Sequence, residues 1–295
     1  MENRPQSLFF LLYKAGEGKQ NSIRTVILMF RHIFEVKSET MKATIVQSNI
    51  LWEDRKANLS TLSEMLDEAS PGGGIVVLPE MFTTGFTMNP APLAETMEGP
   101  AVNWMKERAA RGGYAICGSL IIGGEGHYHN RLVFVTPDGL VSYYDKRHLH
   151  SMSGEHTVYS RGNERVVVPY REFSFNLQVC YDLRFPVWSR NRGDTDVIIY
   201  SANWPSVRSN VWKTLLVARA IENQCYVIGV NRVGTNPDGT SYTGDSAIIG
   251  PKGDLLASLE PGTAGTASAE LSREALDKYR DDMPVWKDAD PFELL

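Results

Sequence analysis

The chain has 295 residues, 42% of them hydrophobic and 22% charged, with a net charge of −5, the profile of a soluble globular protein with ample material for a core. That mild acidity argues against nucleic acid or an anionic membrane as the main partner. Three scattered cysteines, Cys117, Cys180 and Cys225, are too few for a disulfide framework. No CxxC or Cys/His cluster has metal-ligand spacing, so neither a metal nor another cofactor is expected, and a reducing, cytoplasmic setting fits.

The first forty residues differ in kind from the rest. SLFFLLY and TVILMF are short apolar runs, well below the roughly 20 residues that span a bilayer. The first lacks the basic flank and small-residue cleavage site of a signal peptide. A regular domain begins abruptly at Met41, so residues 1–40 are expected to be an upstream extension outside the fold and residues 41–295 the functional domain.

From Met41 strands and helices alternate. KATIVQSN reads as a strand; Asp54 caps a helix with Leu59, Leu62, Met65, Leu66 and Ala69 on its apolar face, ended by Pro71 and Gly72 to Gly74. GIVVLPE is a short strand apolar throughout, as expected for one covered on both faces. Pro100 opens a second helix to about Ala110. YAICGSLII, RLVFVT and LVSYYDK are further strands joined by turns. A short helix is expected near Val187 to Asn191, then the strand DVIIYSAN. The long helix Val207 to Asn223 carries Val211, Leu215, Ala218 and Ile221 on one side. CYVIGVNR, DSAIIGP, DLLASL and TASAEL are strands, and a helix from Ser272 to Arg280 closes the domain. Helices packed on a strand-rich, two-sheet interior follow from this order.

The stretch FSFNLQVCYDLRFP concentrates the chemistry. Phe173, Phe175, Leu177 and Val179 alternate with polar residues, a half-buried strand that delivers Cys180 to a polar turn. A free cysteine is often just a small core residue, and that is how Cys117 and Cys225, set inside apolar strands, read. Glu80 after IVVLP and Lys146 after LVSYYD occupy equivalent strand ends, where α/β folds collect ligand-handling groups. Singly, each reads as a solvated surface residue. Together they are complementary: a carboxylate takes a thiol proton, a thiolate attacks carbonyl carbon, and an ammonium stabilises the oxyanion.

LPEMFTTGF around Glu80, YDKRHL around Lys146 and CYDLRFP around Cys180, in that order, resemble the three signature blocks of the nitrilase superfamily of carbon–nitrogen hydrolases. The resemblance covers Met41 to the C terminus. It implies an α/β fold of α-β-β-α two-sheet sandwich type, assembled as a homodimer or larger. SMSGEHTVYSRG, ANWPSVRSNVWKTLLVARAIENQCYVIGVNRVG, SYTGDSAIIGPKGDLL and VWKDADPF are similar to the omega-amidase branch. That branch cleaves the terminal amide of 2-oxoglutaramate or 2-oxosuccinamate to the 2-oxo acid and ammonia, making a small 2-oxo acid amide the implied partner. The resemblance further implies Glu80 as base, Cys180 as nucleophile, Lys146 with the Tyr181 backbone N–H as oxyanion donors, and Glu155 as a second glutamate that orders the lysine. Without the resemblance Glu155 reads as a loop carboxylate.

Substrate contacts are open. Arg184 either meets an anionic substrate or braces Asp182, and Trp204, Phe86 and Met88 either wall a cavity or pack in the core. Three other functions compete. A cysteine–histidine hydrolase would pair Cys180 with His148, His150 or His156. Another branch of the superfamily would act on N-carbamoyl compounds or nitriles. A non-catalytic binding protein would be favoured had one of the three blocks lost its residue. Gly72 to Gly74 precede a strand and so do not form a dinucleotide-binding turn.

Overall fold

The computed structural model of the protein describes residues 40–124 and 126–293; what the sequence suggests for residues 1–39 lies outside them. In chain order the elements are β1 (Thr40–Gln47), α1 (Arg55–Ala69), β2 (Gly74–Val77), α2 (Pro100–Gly112), β3 (Ala115–Gly124), β4 (His127–Val135) and β5 (Val141–Asp145). Next come α3 (Glu155–Val158), β6 (Val167–Tyr170), β7 (Phe173–Val179), β8 (Val197–Ala202), α4 (Ser209–Asn223) and β9 (Tyr226–Asn231). The hairpin β10 (Val233–Thr235) and β11 (Ser241–Thr243), then β12 (Ala247–Ile249), β13 (Leu255–Ser258), β14 (Gly265–Ser272) and α5 (Arg273–Asp282) complete the series.

Two six-stranded mixed sheets result, ordered β14-β1-β2-β3-β4-β5 and β13-β12-β9-β8-β7-β6. The centre of each is a parallel trio, β1-β2-β3 and β7-β8-β9, flanked by antiparallel strands. Period-two alternation decides which way each side chain faces. Ile45, Val77, Cys117 and Phe134 join the core between the sheets, whereas Val46, Val76, Ile116 and Val133 turn to the opposite face. There they meet Leu62 and Leu66 of α1 and Val102, Met105 and Ala109 of α2. Across the sheets Phe134 packs on Phe175, ring centroids 5.6 Å apart. Helix α4 covers the second sheet with Trp212, Leu216 and Ala220, approaching so closely that a Cβ on Gly229 would lie 2.4 Å from a Leu216 methyl. The layers are helix, sheet, sheet, helix: an α/β sandwich.

Several local expectations need correction. The buried stripe of α4 is Trp212, Leu216, Arg219, Ala220 and Asn223, one residue round from the stripe of Val211, Leu215, Ala218 and Ile221. Two adjacent stripes compete on this helix. The one bearing Trp212 removes more apolar area from water, and Arg219 is tolerated there because its guanidinium donates to the Leu183 carbonyl (2.6 Å) and to Glu222 (2.9 Å). No helix forms at Val187 to Asn191; the chain makes a 3-10 turn over Cys180–Arg184 and then an irregular turn. The left-handed residue that ends α1 is Ser70 (φ 42°), ahead of Pro71 and the glycines. Strand β6 and the β10–β11 hairpin escape the periodicity because each strand is at most four residues long.

Candidate active site

Strand direction brings the site together. In the first sheet β3 to β4 and β4 to β5 are both reversals, so β5 runs the same way as β1, β2 and β3, and its carboxyl end lies on the same edge. Glu80, two residues beyond Leu78, and Lys146, directly after Asp145, therefore emerge at one edge. Their backbones continue the ladders: Leu78 N–H donates to Cys117 (2.7 Å) and Lys146 N–H to Asn130 (3.0 Å). The second sheet contributes Cys180 after β7 and Asn203 after β8, and the sheets are tied here by the Ser201 hydroxyl donating to the Leu78 carbonyl (2.8 Å). Cys180 has φ 44°, a left-handed conformation rare for a side chain with a Cβ. It turns the chain sharply out of the strand.

Four side chains meet there almost without solvent. Glu80 and Glu155 are fully buried, Lys146 is 1% exposed and Cys180 8%. Lys146 Nζ donates to Glu80 Oε1 (2.9 Å) and to both oxygens of Glu155 (3.0 Å each). Asn130 Nδ2 bridges the same two carboxylates at 2.7 and 3.1 Å, its own oxygen accepting from Ser119 (2.9 Å). Glu80 Oε2 accepts from the Asn203 backbone N–H (2.8 Å), and Glu155 from that of His150 (2.6 Å). The buried cluster thus holds two carboxylates against one ammonium, each oriented by several donors.

The charges follow from these contacts. Burial opposes the charge on Lys146, but Glu155 and then Glu80 outweigh it and hold the group above its ordinary range, a fixed ammonium. Burial raises Glu155, with Lys146 opposing. Burial, followed by the Glu80 charge, pushes the Cys180 thiol well above its usual value, so it rests protonated; its Sγ lies 3.8 Å from the Asn203 carbonyl oxygen. Such a thiol needs a base at the moment of reaction, and Glu80 is the carboxylate beside it.

Glu80, Lys146, Cys180, Tyr181, Arg184, Trp204 and Phe86 line one cavity of about 390 Å³, within the size range of small-molecule sites. Glu155 does not line it and touches Lys146 from behind, so it is no exposed loop carboxylate. The Lys146 ammonium stands 5.1 Å from the Phe86 ring centroid. Asp182 is braced without Arg184, accepting from Tyr144 (2.8 Å), from the Val179 N–H (2.9 Å) and from the His148 N–H (3.0 Å). Arg184 lies over the Trp204 ring at 5.1 Å. His148 is turned to Asp182 (2.8 Å) and stacked on Phe185 at 3.8 Å. Among the described residues no histidine comes within hydrogen-bond reach of the Cys180 sulfur, which removes the basis of a cysteine–histidine pair. Cys117 and Cys225 are fully buried in the core.

Sequence reasoning overlooked Asn130, Asn203 and Arg208, the last also lining the cavity. Asn203 follows the strand VIIYSA directly, so the strand-end rule that singled out Glu80 could have found it. Asn130 sits inside a strand and carries no local signal. Among the described residues no group of His, Cys, Asp or Glu is arranged to hold a metal ion, and no helix is long and apolar enough to cross a membrane.

Comparison with known proteins agrees with this geometry. The carbon-nitrogen hydrolase family model matches residues 42–281. The chain is 46% identical over 254 residues to omega-amidase YafV of Escherichia coli K12, covering 86% of this chain and 98% of the relative. It is 33% identical over 256 residues to a 2-oxoglutaramate amidase of Bacillus subtilis 168, covering 84% and 98%. The crystal structure of XC1258 from Xanthomonas campestris, a CN-hydrolase superfamily protein with an arsenic adduct in its active site, superposes with a TM-score of 0.84 at 41% identity. That match covers 87% of this chain and all of the other. With the two-sheet sandwich and the Glu80, Lys146 and Cys180 cluster, these matches lead to one statement: the chain belongs to the carbon–nitrogen hydrolase family.

Proposed function

We propose that the protein is an omega-amidase, hydrolysing the terminal amide of 2-oxoglutaramate or 2-oxosuccinamate to the 2-oxo acid and ammonia. One observation carries the reading: a buried thiol shares its cavity with a carboxylate and a fixed ammonium, and Arg184 faces the same cavity. Glu80 takes the Cys180 proton as the sulfur attacks the amide carbon. The oxyanion of the tetrahedral intermediate is held by Lys146 Nζ and the Tyr181 backbone N–H, an amide at the start of the 3-10 turn, where no intrahelical acceptor exists. Glu80 returns the proton to nitrogen, the C–N bond breaks, and ammonia leaves a thioester on Cys180. Water, deprotonated by Glu80, opens the thioester, and the thiol regains its proton. Glu155 acts through Lys146 by fixing its position. Arg184 binds the substrate carboxylate, while Trp204 and Phe86 wall the cavity and exclude water.

Support for the substrate class comes from the relatives named for omega-amidase and 2-oxoglutaramate amidase activity and from the cationic rim. Ammonia release measured over 2-oxoglutaramate, 2-oxosuccinamate, glutamine, N-carbamoyl amino acids and a simple nitrile tests it. Strong preference for the oxo acid amides is expected; preference for a carbamoyl compound or a nitrile overturns the substrate while sparing the thioester chemistry.

The functional domain is the expected 41–295, extended by Thr40 because that residue begins β1 opposite Ser272, with the residues before it outside the domain, and it works in the cytoplasm as a homodimer or larger. The family match from residue 42 and the exposed Ile221 on α4 support the domain bound and the self-association respectively. Full activity of a chain shortened to Met41, and a mass of two or more protomers by light scattering, are expected.

A further inference from the structure

Two arginines on the cavity wall have no anionic partner among the described residues. Arg131, Arg165, Arg219, Arg273 and Arg280 each face a carboxylate, whereas neither Arg184 nor Arg208 does so among the described residues. Both line the cavity that holds Cys180, and one indole anchors both. The Arg184 guanidinium lies over the Trp204 ring at 5.1 Å, and the Trp204 Nε1–H donates to the Arg208 carbonyl at 2.9 Å. The Arg208 side chain itself makes no hydrogen bond among the described residues. Its charge nonetheless reaches the cavity: burial, then Lys146 and Arg208, hold the cavity-lining His150 below its ordinary range as a neutral imidazole. Asp238, the carboxylate on the hairpin side of the same cavity, is engaged by the Thr240 N–H (2.9 Å) and pairs with neither arginine.

We infer that Arg208 is a second substrate-binding cation, which with Arg184 holds the 2-oxo-carboxylate head of the amide and selects against substrates bearing an ammonium there. The inference rests on the omega-amidase reading given above. An oxo acid head offers a carboxylate and a carbonyl oxygen, acceptors for two guanidinium groups. An amino acid amide such as glutamine replaces the carbonyl with a cation. Its attraction to Arg208 through the carboxylate is then offset by repulsion of the ammonium, which has no lone pair to accept the hydrogen bond that the carbonyl oxygen accepts from a guanidinium.

The test compares kcat/KM of the wild-type chain, Arg208→Gln and Arg208→Lys on 2-oxoglutaramate, glutamine and the uncharged pentanamide. Arg208→Gln should lose roughly 10- to 100-fold on 2-oxoglutaramate, the scale of one hydrogen bond to a charged group, mainly through KM. Glutamine and pentanamide should change by less than about threefold, the size of effect that leaves binding energy essentially intact, so the preference for the oxo acid narrows. Arg208→Lys should recover part of the loss. Equal losses on 2-oxoglutaramate and pentanamide, or none on either, overturn the role of Arg208. If the wild-type chain does not prefer 2-oxoglutaramate over pentanamide at all, the omega-amidase reading fails first and takes this one with it.

Discussion

At the scale of single residues, the chemistry turns on a thiol made hard to ionise first by burial and then by the carboxylate beside it. Replacing Cys180 by Ala should abolish ammonia release on every substrate, by a factor on the order of 10³ or more, since the thioester can then no longer form; residual turnover near the wild-type level would refute the thioester route. Glu80→Gln should lower turnover roughly 10²- to 10⁴-fold by removing the base. It should also make the resting thiol easier to ionise. The Glu80 charge raises the Cys180 pKa and Lys146 lowers it, so removing the carboxylate leaves the ammonium unopposed. The rate of iodoacetamide alkylation against pH should therefore shift to lower pH in Glu80→Gln while hydrolysis collapses. An upward shift would contradict the assigned electrostatics. His150 makes a pH prediction of opposite kind. Its folded pKa lies below the unfolded value near 6.5, so the unfolded chain takes up the proton first. Stability should fall as pH drops below about 6.5, ceasing once pH passes the folded value. His150→Asn should flatten that fall in urea titrations.

At the scale of elements, the β10–β11 hairpin is what completes the cavity, and one buried arginine fastens it. Arg232 is fully buried, and burial pushes its pKa down to about 10. Its guanidinium donates to the Ile50 carbonyl (2.8 Å), the Val233 carbonyl (3.0 Å) and Asn236 (2.7 Å), and lies 4.7 Å from the Tyr242 ring. Asn236 and Tyr242 in turn line the cavity. Arg232→Leu should cost on the order of 2–4 kcal/mol, because each buried acceptor left bare costs roughly 1–3 kcal/mol. It should also raise KM more than it lowers kcat, as the hairpin loosens around the substrate; unfolding in urea and steady-state kinetics check the two parts. The hairpin was invisible in the sequence because its three-residue strands carry no usable period. Helix α4 shows the converse: its existence was plain, but which of two neighbouring stripes faced the sheet depended on where Trp212 could be buried.

At the scale of the whole molecule, the two sheets act as one rigid clamp because their facing side chains interdigitate. Phe134→Ala, removing a fully buried ring from that layer, should cost about 3–5 kcal/mol in urea unfolding. Its effect on kcat at temperatures where the variant is folded should be small. The elements themselves were largely legible in the chain, since apolar alternation, helical stripes, Asp54 as a cap and Pro100 as an opener are local signals that local physics obeys. So was the trio Glu80, Lys146 and Cys180, because each lies at or just beyond the carboxyl end of a strand. What the sequence could not show is how these ends meet. Glu155 sits in a four-residue helix far from any strand end, and Asn130 lies within a strand. Pairing of β4 with β5 sets Asn130 beside Lys146, and the fold of the chain after β5 returns Glu155 to the ammonium, a pairing implied beforehand only by the family resemblance. Whether Arg184 braced Asp182 or faced the cavity was likewise undecidable from YDLRFP. The fold settled its direction, because Tyr144 and two backbone amides had already satisfied Asp182 and left the guanidinium to the cavity. The sequence by itself determined which chemical groups stand at strand ends; the tertiary structure decided their protonation and pairing, because burial and neighbouring charge arise only when the layers close.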